Sequence, residues 1–206
     1  MRRYLIPFVF ALRLMLALPV AAADPHMTAA ERTKVLNWLE DSGKQFLAAI
    51  DGVSDAQWKW KPAPGRWSVG EVAEHIVLAE ASQFAKVKAA LAAPASADWE
   101  TQTKGRTETI EMVMAPRLGK AQAPEPLVPG GNMTRAQARE RFVAQRAEIL
   151  KFARETDAAL KEHLAEHPMP MFNPLNAYQW LIYIPLHNLR HEKQIAEVKA
   201  TAGYPK

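Results

Sequence analysis

Apolar residues recur at helical spacing in four long segments of the chain, and each recurrence predicts an amphipathic helix. In the first segment, for example, Val35, Leu39, Phe46 and Ile50 lie on one face. The four segments are residues 28–51, 68–93, 134–167 and 176–201. No segment shows a convincing strand pattern. The sequence therefore predicts an all-α fold with four long helices and long connections.

Three of these helices have readable start signals. An Asn, Ser or Thr that is followed three residues later by Glu or Gln can cap a helix reciprocally. The pairs are Ser68 with Glu71, Thr134 with Gln137, and Asn176 with Gln179. The third helix is expected to end before Pro168. Gly203 and Pro205 are expected to end the fourth.

Pro185 lies inside the fourth predicted helix. A proline lacks the backbone donor and clashes with the carbonyl four residues back, so it usually bends a helix. We expect a bend between Leu181 and Pro185, just before His187.

Two connections are unusually long. Residues 52–67 contain Trp58, Trp60 and Trp67, which are too apolar to be solvated and should pack on the helices. Residues 94–133 are rich in Pro and Gly, with a short helix expected near 107–115. Connections of this length in a compact domain are often functional.

The start of the chain resembles a targeting segment. Residues 1–23 combine a basic start, an apolar stretch and small residues at the exit, which predicts a signal peptide cleaved after Ala23. Residues 24–206 would then be one exported, periplasmic domain without a stable membrane anchor. A membrane anchor is disfavoured by Arg13 in the apolar stretch. Translation from Met27 would instead leave a cytoplasmic protein.

Cleavage would change the meaning of the charge. The whole chain has a net charge of +4, and the leader contains three arginines and no acidic residue. The mature chain would carry 23 basic and 22 acidic residues, so its charge does not indicate nucleic acid binding. The sequence contains no phosphate-binding loop, so no nucleotide cofactor is expected. It has no Cys, which excludes disulfides, thiolate metal ligands and a Cys nucleophile.

His187 and His191 are separated by one helical turn, so both rings lie on the same face of the fourth helix. Their neighbours at helical spacing are apolar, which turns the pair inward. His75 lies in a similar apolar setting on the second helix, either as a satisfied core histidine or as a third ligand. His163 and His167 have the same spacing, but they are expected on a solvated helix end rather than at a metal.

Two motifs resemble those of the DinB-like superfamily. Residues 67–76, Trp-Ser-Val-Gly-Glu-Val-Ala-Glu-His-Ile, resemble its W-S-x-x-E-x-x-x-H segment, and residues 187–194 resemble its H-x-x-R-H-x-x-Q motif. The resemblance implies a four-helix bundle and a homodimer. It also implies a divalent metal, Zn or Ni in many relatives, held by His75, His187 and His191.

The resemblance further implies thiol-dependent transferases or metal-dependent hydrolases acting on a small electrophile. A bound cation lowers the pKa of a thiol or water. Glu71 is a candidate proton carrier, although a helix-capping role also explains it. Arg190 and Gln194 could orient a substrate or support the ligands, although Arg190 could equally form a surface ion pair. The alternatives are a non-catalytic exported protein that binds metal or ligand, and a bundle without metal.

Overall fold

The computed structural model describes residues 23–117 and 122–206. The predicted leader therefore lies, apart from Ala23, outside the described residues. The described α-helices and strands are α1 (Ala29–Ile50), α2 (Asp55–Lys59), α3 (Val69–Ala92), α4 (Trp99–Thr103), α5 (Arg106–Met114), α6 (Arg135–Glu155), β1 (Leu164–Ala165), β2 (Leu175–Asn176) and α7 (Ala177–Ala200). Two short 3₁₀ helices are formed by Glu125–Leu127 and Pro170–Phe172. Within these ranges, no helix combines the length and the apolar character needed to cross a membrane.

The four long helices begin where the sequence predicts. Ser68, Thr134 and Asn176 are the N-caps of α3, α6 and α7, and each forms a complete capping box. Thr28 caps α1 in the same way. Each box satisfies backbone donors that the first helical turn leaves without a partner.

Contacts between helix ends define the bundle. Arg32, near the start of α1, donates to the carbonyls of Ala153 and Thr156 at the end of α6, so these helices are antiparallel. Lys199, near the end of α7, donates to Ala49 near the end of α1, so α1 and α7 run in the same direction. The result is a four-helix bundle of α1, α3, α6 and α7.

The direction of α6 explains the longest connection. Glu74, early in α3, contacts residues that precede α6, whereas Phe84 packs on Phe152 near the end of α6. Helices α3 and α6 are therefore parallel. A chain that leaves the end of α3 must return along the bundle before α6 can begin, and residues 94–133 make this return. They contain α4 as well as the predicted short helix, which is α5.

The third of the four predicted helices, which is α6 in the structure, ends earlier than predicted. It stops at Glu155, not before Pro168, and the following residues turn back so that Leu160 is fully buried. Arg32 donates to carbonyls of the last helical turn, and the Thr156 hydroxyl accepts from the backbone N–H of Ala158. These bonds replace those that further helix would make.

The expectation of no strand is also wrong, although only two residues pair on each side. Leu164 pairs with Asn176 and Ala165 with Leu175 in an antiparallel ladder. The ladder positions Asn176, which caps α7. It thereby helps to fix the start of the helix that carries His187 and His191.

The tryptophan-rich connection packs on the bundle as predicted. Trp58 on α2 is buried, and its indole Nε1–H donates to the carbonyl of Met133 at 2.9 Å. Gly70 makes this packing possible, because a Cβ there would lie 2.5 Å from Nε1 of Trp58. Helix α7 continues through Pro185, and the bend before His187 stays a prediction.

Candidate metal centre

Three histidines from two helices meet inside the bundle. His75 lies on α3, and His187 and His191 lie on consecutive turns of α7. One ring nitrogen of each lies within 4.8 Å of those of the other two. All three residues are buried, with exposed fractions of 3%, 8% and 8%. Within the described ranges, no fourth His, Asp or Glu joins this group.

Hydrogen bonds define which nitrogen faces the centre in two of the rings. Nδ1–H of His75 donates to the carbonyl of Leu127 at 2.7 Å, and Nδ1–H of His191 donates to Oε1 of Gln194 at 2.9 Å. These bonds require the tautomer with the proton on Nδ1, since both acceptors lack a proton to give. The lone pair of each ring is then on Nε2.

His187 differs from the other two. Its Nδ1 is buried and has no hydrogen-bond partner among the described residues. A buried polar atom without a partner is costly, and such atoms concentrate where a ligand completes the site.

Burial keeps these rings neutral at neutral pH. It lowers the pKa of His75, and it is the largest cause of the much lower pKa values of His187 and His191. The neighbouring rings act in the same direction, since a positive charge on one disfavours a charge on the next. Neutral imidazoles have the lone pair that a metal ion needs.

Aromatic side chains enclose the three rings. The ring centroid of Trp67 lies 4.9 Å from that of His75 and 6.5 Å from that of His191. On the other side, Tyr183 stacks on His187 at 5.8 Å. These contacts contribute to the low solvent exposure of the three imidazoles.

The residues fit a divalent metal ion. An ion bound by three imidazoles at about 2.0–2.1 Å requires nitrogen separations of roughly 3.4 Å in tetrahedral geometry. The separations in the structure, all within 4.8 Å, exceed this value by at most about 1.4 Å. A donor set of imidazoles alone suits Zn, Ni, Cu or Fe rather than Mg or Ca.

Glu71 and Arg190, the two candidates for a catalytic role, lie in different settings. The carboxylate of Glu71 accepts from the backbone N–H of Ser68 and from Nζ of Lys61, so both oxygens already have structural partners. Arg190 is buried, with an exposed fraction of 7%. Burial is the main cause that lowers the pKa of the Arg190 guanidinium, and the positive charge of Arg117 acts in the same direction.

His163 and His167 do not lie on a solvated helix end as predicted. His163 follows α6 and its Nδ1–H donates to the carbonyl of Ala93. His167 is buried against Phe172, Trp180 and Tyr183, and burial lowers its pKa to about 4. The prediction was wrong because it assumed that α6 continues to Pro168.

The long connection, residues 94–133, supports the site in a way that the sequence did not reveal. It supplies the carbonyl of Leu127, and the backbone N–H groups of Gly130 and Gly131 donate to Glu74 beside His75. It also supplies Arg117, which donates to Gln194. No sequence pattern identifies a backbone carbonyl as a partner. The one supporting residue that the sequence did indicate is Gln194, which lies one turn after His191.

Comparisons with known proteins agree with this fold. A family model described as the DinB superfamily matches residues 38–195. The uncharacterised protein YuaE of Bacillus subtilis (strain 168) is 28% identical over 152 residues, covering 73% of this chain and 88% of YuaE. The chain also superposes on the solved structure of YfiT from Bacillus subtilis, described as a probable metal-dependent hydrolase with an unusual four-helix bundle topology. The TM-score is 0.51 and the identity 17%, over 87% of this chain and 91% of YfiT.

Proposed function

The chain belongs to the DinB superfamily, and from that premise we propose that it binds a divalent metal, Zn or Ni, through His75, His187 and His191. We propose further that it acts as a metal-dependent hydrolase on a small electrophilic substrate. The observation that carries the proposal is the convergence of three buried imidazole nitrogens within 4.8 Å, with no fourth protein ligand in the described residues. Three protein ligands leave a coordination position open, as in catalytic rather than structural sites.

The residues around the ligands support this reading. When bound, a divalent cation lowers the pKa of a bound water or thiol and polarises a carbonyl. Trp67 packs against the ring of His75, and Tyr183 stacks on the ring of His187. Arg190 is the candidate for orienting a substrate, because it is buried on α7 directly before the ligand His191. Glu71 is better explained by its structural partners and has no part in the proposed chemistry.

Thiol transfer is the second candidate reaction. The chain has no Cys, so the thiol would have to come from solution. The same open position would accept it. The thiol-dependent relatives that the sequence resemblance implies favour thiol transfer, whereas the description of YfiT favours hydrolysis.

Metal content tests the binding proposal directly. We expect untagged protein, purified without chelator, to contain about one equivalent of Zn or Ni. His187→Ala should lose that metal and keep the helical circular dichroism signal. His163→Ala is the matched control, because this ring bonds a carbonyl elsewhere and should leave metal content unchanged. Equal metal content in wild type and His187→Ala would contradict the proposal.

A substrate screen tests catalysis. The metal-loaded protein is assayed on small esters and amides, and on electrophiles with added low-molecular-weight thiols. Metal-dependent turnover that His187→Ala abolishes supports an enzyme. Stoichiometric metal without turnover on any of these classes favours the alternative, a non-catalytic metal- or ligand-binding protein. Export and homodimer formation stay predictions from the sequence.

A further inference from the structure

Arg117 is connected to the proposed ligand His191 through one intervening side chain, that of Gln194. Its Nη1–H donates to Oε1 of Gln194 at 3.2 Å, and the same oxygen accepts Nδ1–H of His191 at 2.9 Å. Nε and Nη2 of Arg117 donate to the two carboxylate oxygens of Glu197 at 2.7 and 2.9 Å. The guanidinium is thus held by two residues of α7, one of which supports a ligand.

The backbone of Arg117 adopts an unusual conformation for these contacts. Its φ is +57°, and it is the one non-glycine residue in the described ranges with a positive φ. Left-handed backbone is unfavourable for a side chain with a Cβ and persists where surrounding contacts hold it. The three hydrogen-bonding nitrogens of Arg117 supply such contacts.

The amide of Gln194 could face His191 in two ways. With Oε1 toward the ring it accepts, and His191 must then carry its proton on Nδ1. With Nε2 toward the ring it donates, and His191 must then carry its proton on Nε2, which would block that atom as a ligand. Nothing in Gln194 itself selects between these orientations.

We infer that Arg117 is a positioning residue that selects the metal-binding tautomer of His191 through Gln194. An arginine only donates hydrogen bonds, so the Gln194 atom beside it must be the oxygen. That oxygen in turn requires a proton on Nδ1 of His191 and leaves Nε2 free. This inference rests on the proposed metal site and deepens it, because outer hydrogen bonds orient metal-binding histidines.

The tautomer is measured in the metal-free protein by imidazole ¹⁵N NMR at about pH 8. We expect wild-type His191 to carry its proton on Nδ1, and Arg117→Met to show a substantial population with the proton on Nε2. Zn affinity should fall roughly tenfold, as for loss of other outer-sphere partners. Arg154→Met is the matched control, because Arg154 forms an exposed ion pair with Glu40 away from the site.

Rescue distinguishes this role from a merely structural one. Glu at position 194 only accepts, so Gln194→Glu in the Arg117→Met background should restore the Nδ1–H tautomer without restoring any arginine contact. If Arg117→Met disturbs the fold, Gln194→Leu gives the same tautomer readout with Arg117 and Glu197 intact. An unchanged tautomer in Arg117→Met, or in Gln194→Leu, overturns the inference, as does failure of the rescue. The tautomer tests this inference alone, whereas wild-type metal content tests the proposed site.

Discussion

Arg146 donates from Nε and Nη2 to the two carboxylate oxygens of Glu80 at 3.0 and 2.7 Å, and neither side chain is exposed by more than 6%. This pair joins α6 to α3 inside the bundle. Asn188 on α7 donates to the same carboxylate, and Arg146 also donates to Ser42 on α1. One polar network therefore connects all four long helices, a short distance along α7 from His187.

Glu80→Ala should destabilise the fold strongly. The change leaves the guanidinium of Arg146 buried without its carboxylate, and breaking such a pair costs about 3–5 kcal/mol. Urea denaturation followed by circular dichroism measures this loss. Glu40→Ala is the control, because its ion pair with Arg154 is exposed and should contribute below about 1 kcal/mol. Equal losses in the two variants would show that the buried network contributes little.

The buried carboxyl of Glu192 should make the folded protein less stable as the pH rises from 4.5 to about 8. Burial raises the pKa of its carboxyl from 4.5 to about 8, and neither oxygen has a hydrogen-bond partner among the described residues. Between these values the unfolded chain releases the proton and the folded chain keeps it, so stability falls as pH rises. Glu192→Gln should have little effect near pH 5 and stabilise by on the order of 5 kcal/mol near pH 9.

Denaturant unfolding at several pH values tests this expectation. The informative quantity is the difference between wild type and Glu192→Gln, since other groups titrate equally in both proteins. Glu140→Gln on the exposed side of α6 is the control for the replacement of a glutamate by glutamine. A difference for Glu192→Gln that does not grow with pH would count against a buried protonated carboxyl.

His167 should have the opposite pH dependence. Its folded pKa of about 4 lies below the ordinary value of 6.5, because burial disfavours the charged ring. The unfolded chain therefore takes up the proton first, and stability is lost as pH falls from about 6.5 to 4. His167→Asn keeps an acceptor for the N–H of Met169 but does not titrate. It should reduce the acid-induced loss by about 3 kcal/mol.

As for Glu192, the informative quantity is the difference in the free energy of unfolding between the variant and the wild type at each pH. If His167→Asn and the wild type show the same acid unfolding, then His167 is solvated in solution and the aromatic cluster around it is open.

Gly70→Ala should destabilise the protein although alanine favours helix. The new Cβ would lie 2.5–2.7 Å from three indole atoms of Trp58. Overpacking of this kind costs about 1–3 kcal/mol, against a gain in helix propensity of about 1 kcal/mol. In a Trp58→Phe background the smaller ring leaves space, so Gly70→Ala should cost less there. Thermal unfolding of the four proteins gives the coupling, and additive effects would refute the contact.

Local signals predicted most of the helical framework. The cap residues at Ser68, Thr134 and Asn176 fix helix starts through bonds within one turn, so short sequence patterns reveal them. The end of α6 was missed because it depends on Arg32, which reaches it from another helix. No pattern within residues 134–167 contains that information.

The same distinction separates the parts of the candidate site. The spacing of His187 and His191 and their apolar neighbours are readable, and the resemblance added His75. The partners of these rings were not readable in full. Leu127 acts through a backbone carbonyl that any residue has, and Arg117 acts through a tertiary contact 77 residues away from Gln194.

More than half of the chain lies between His75 and His187, and this separation has a kinetic consequence. The ion that we propose to be shared by α3 and α7 would close a very large loop, and the entropic cost of that closure is met only after both helices have docked. A peptide containing α7 alone would present two imidazoles on a helix that is marginal in water. Tight ion uptake therefore reports the assembled molecule, and during refolding it should appear together with the last tertiary contacts rather than with early helix formation.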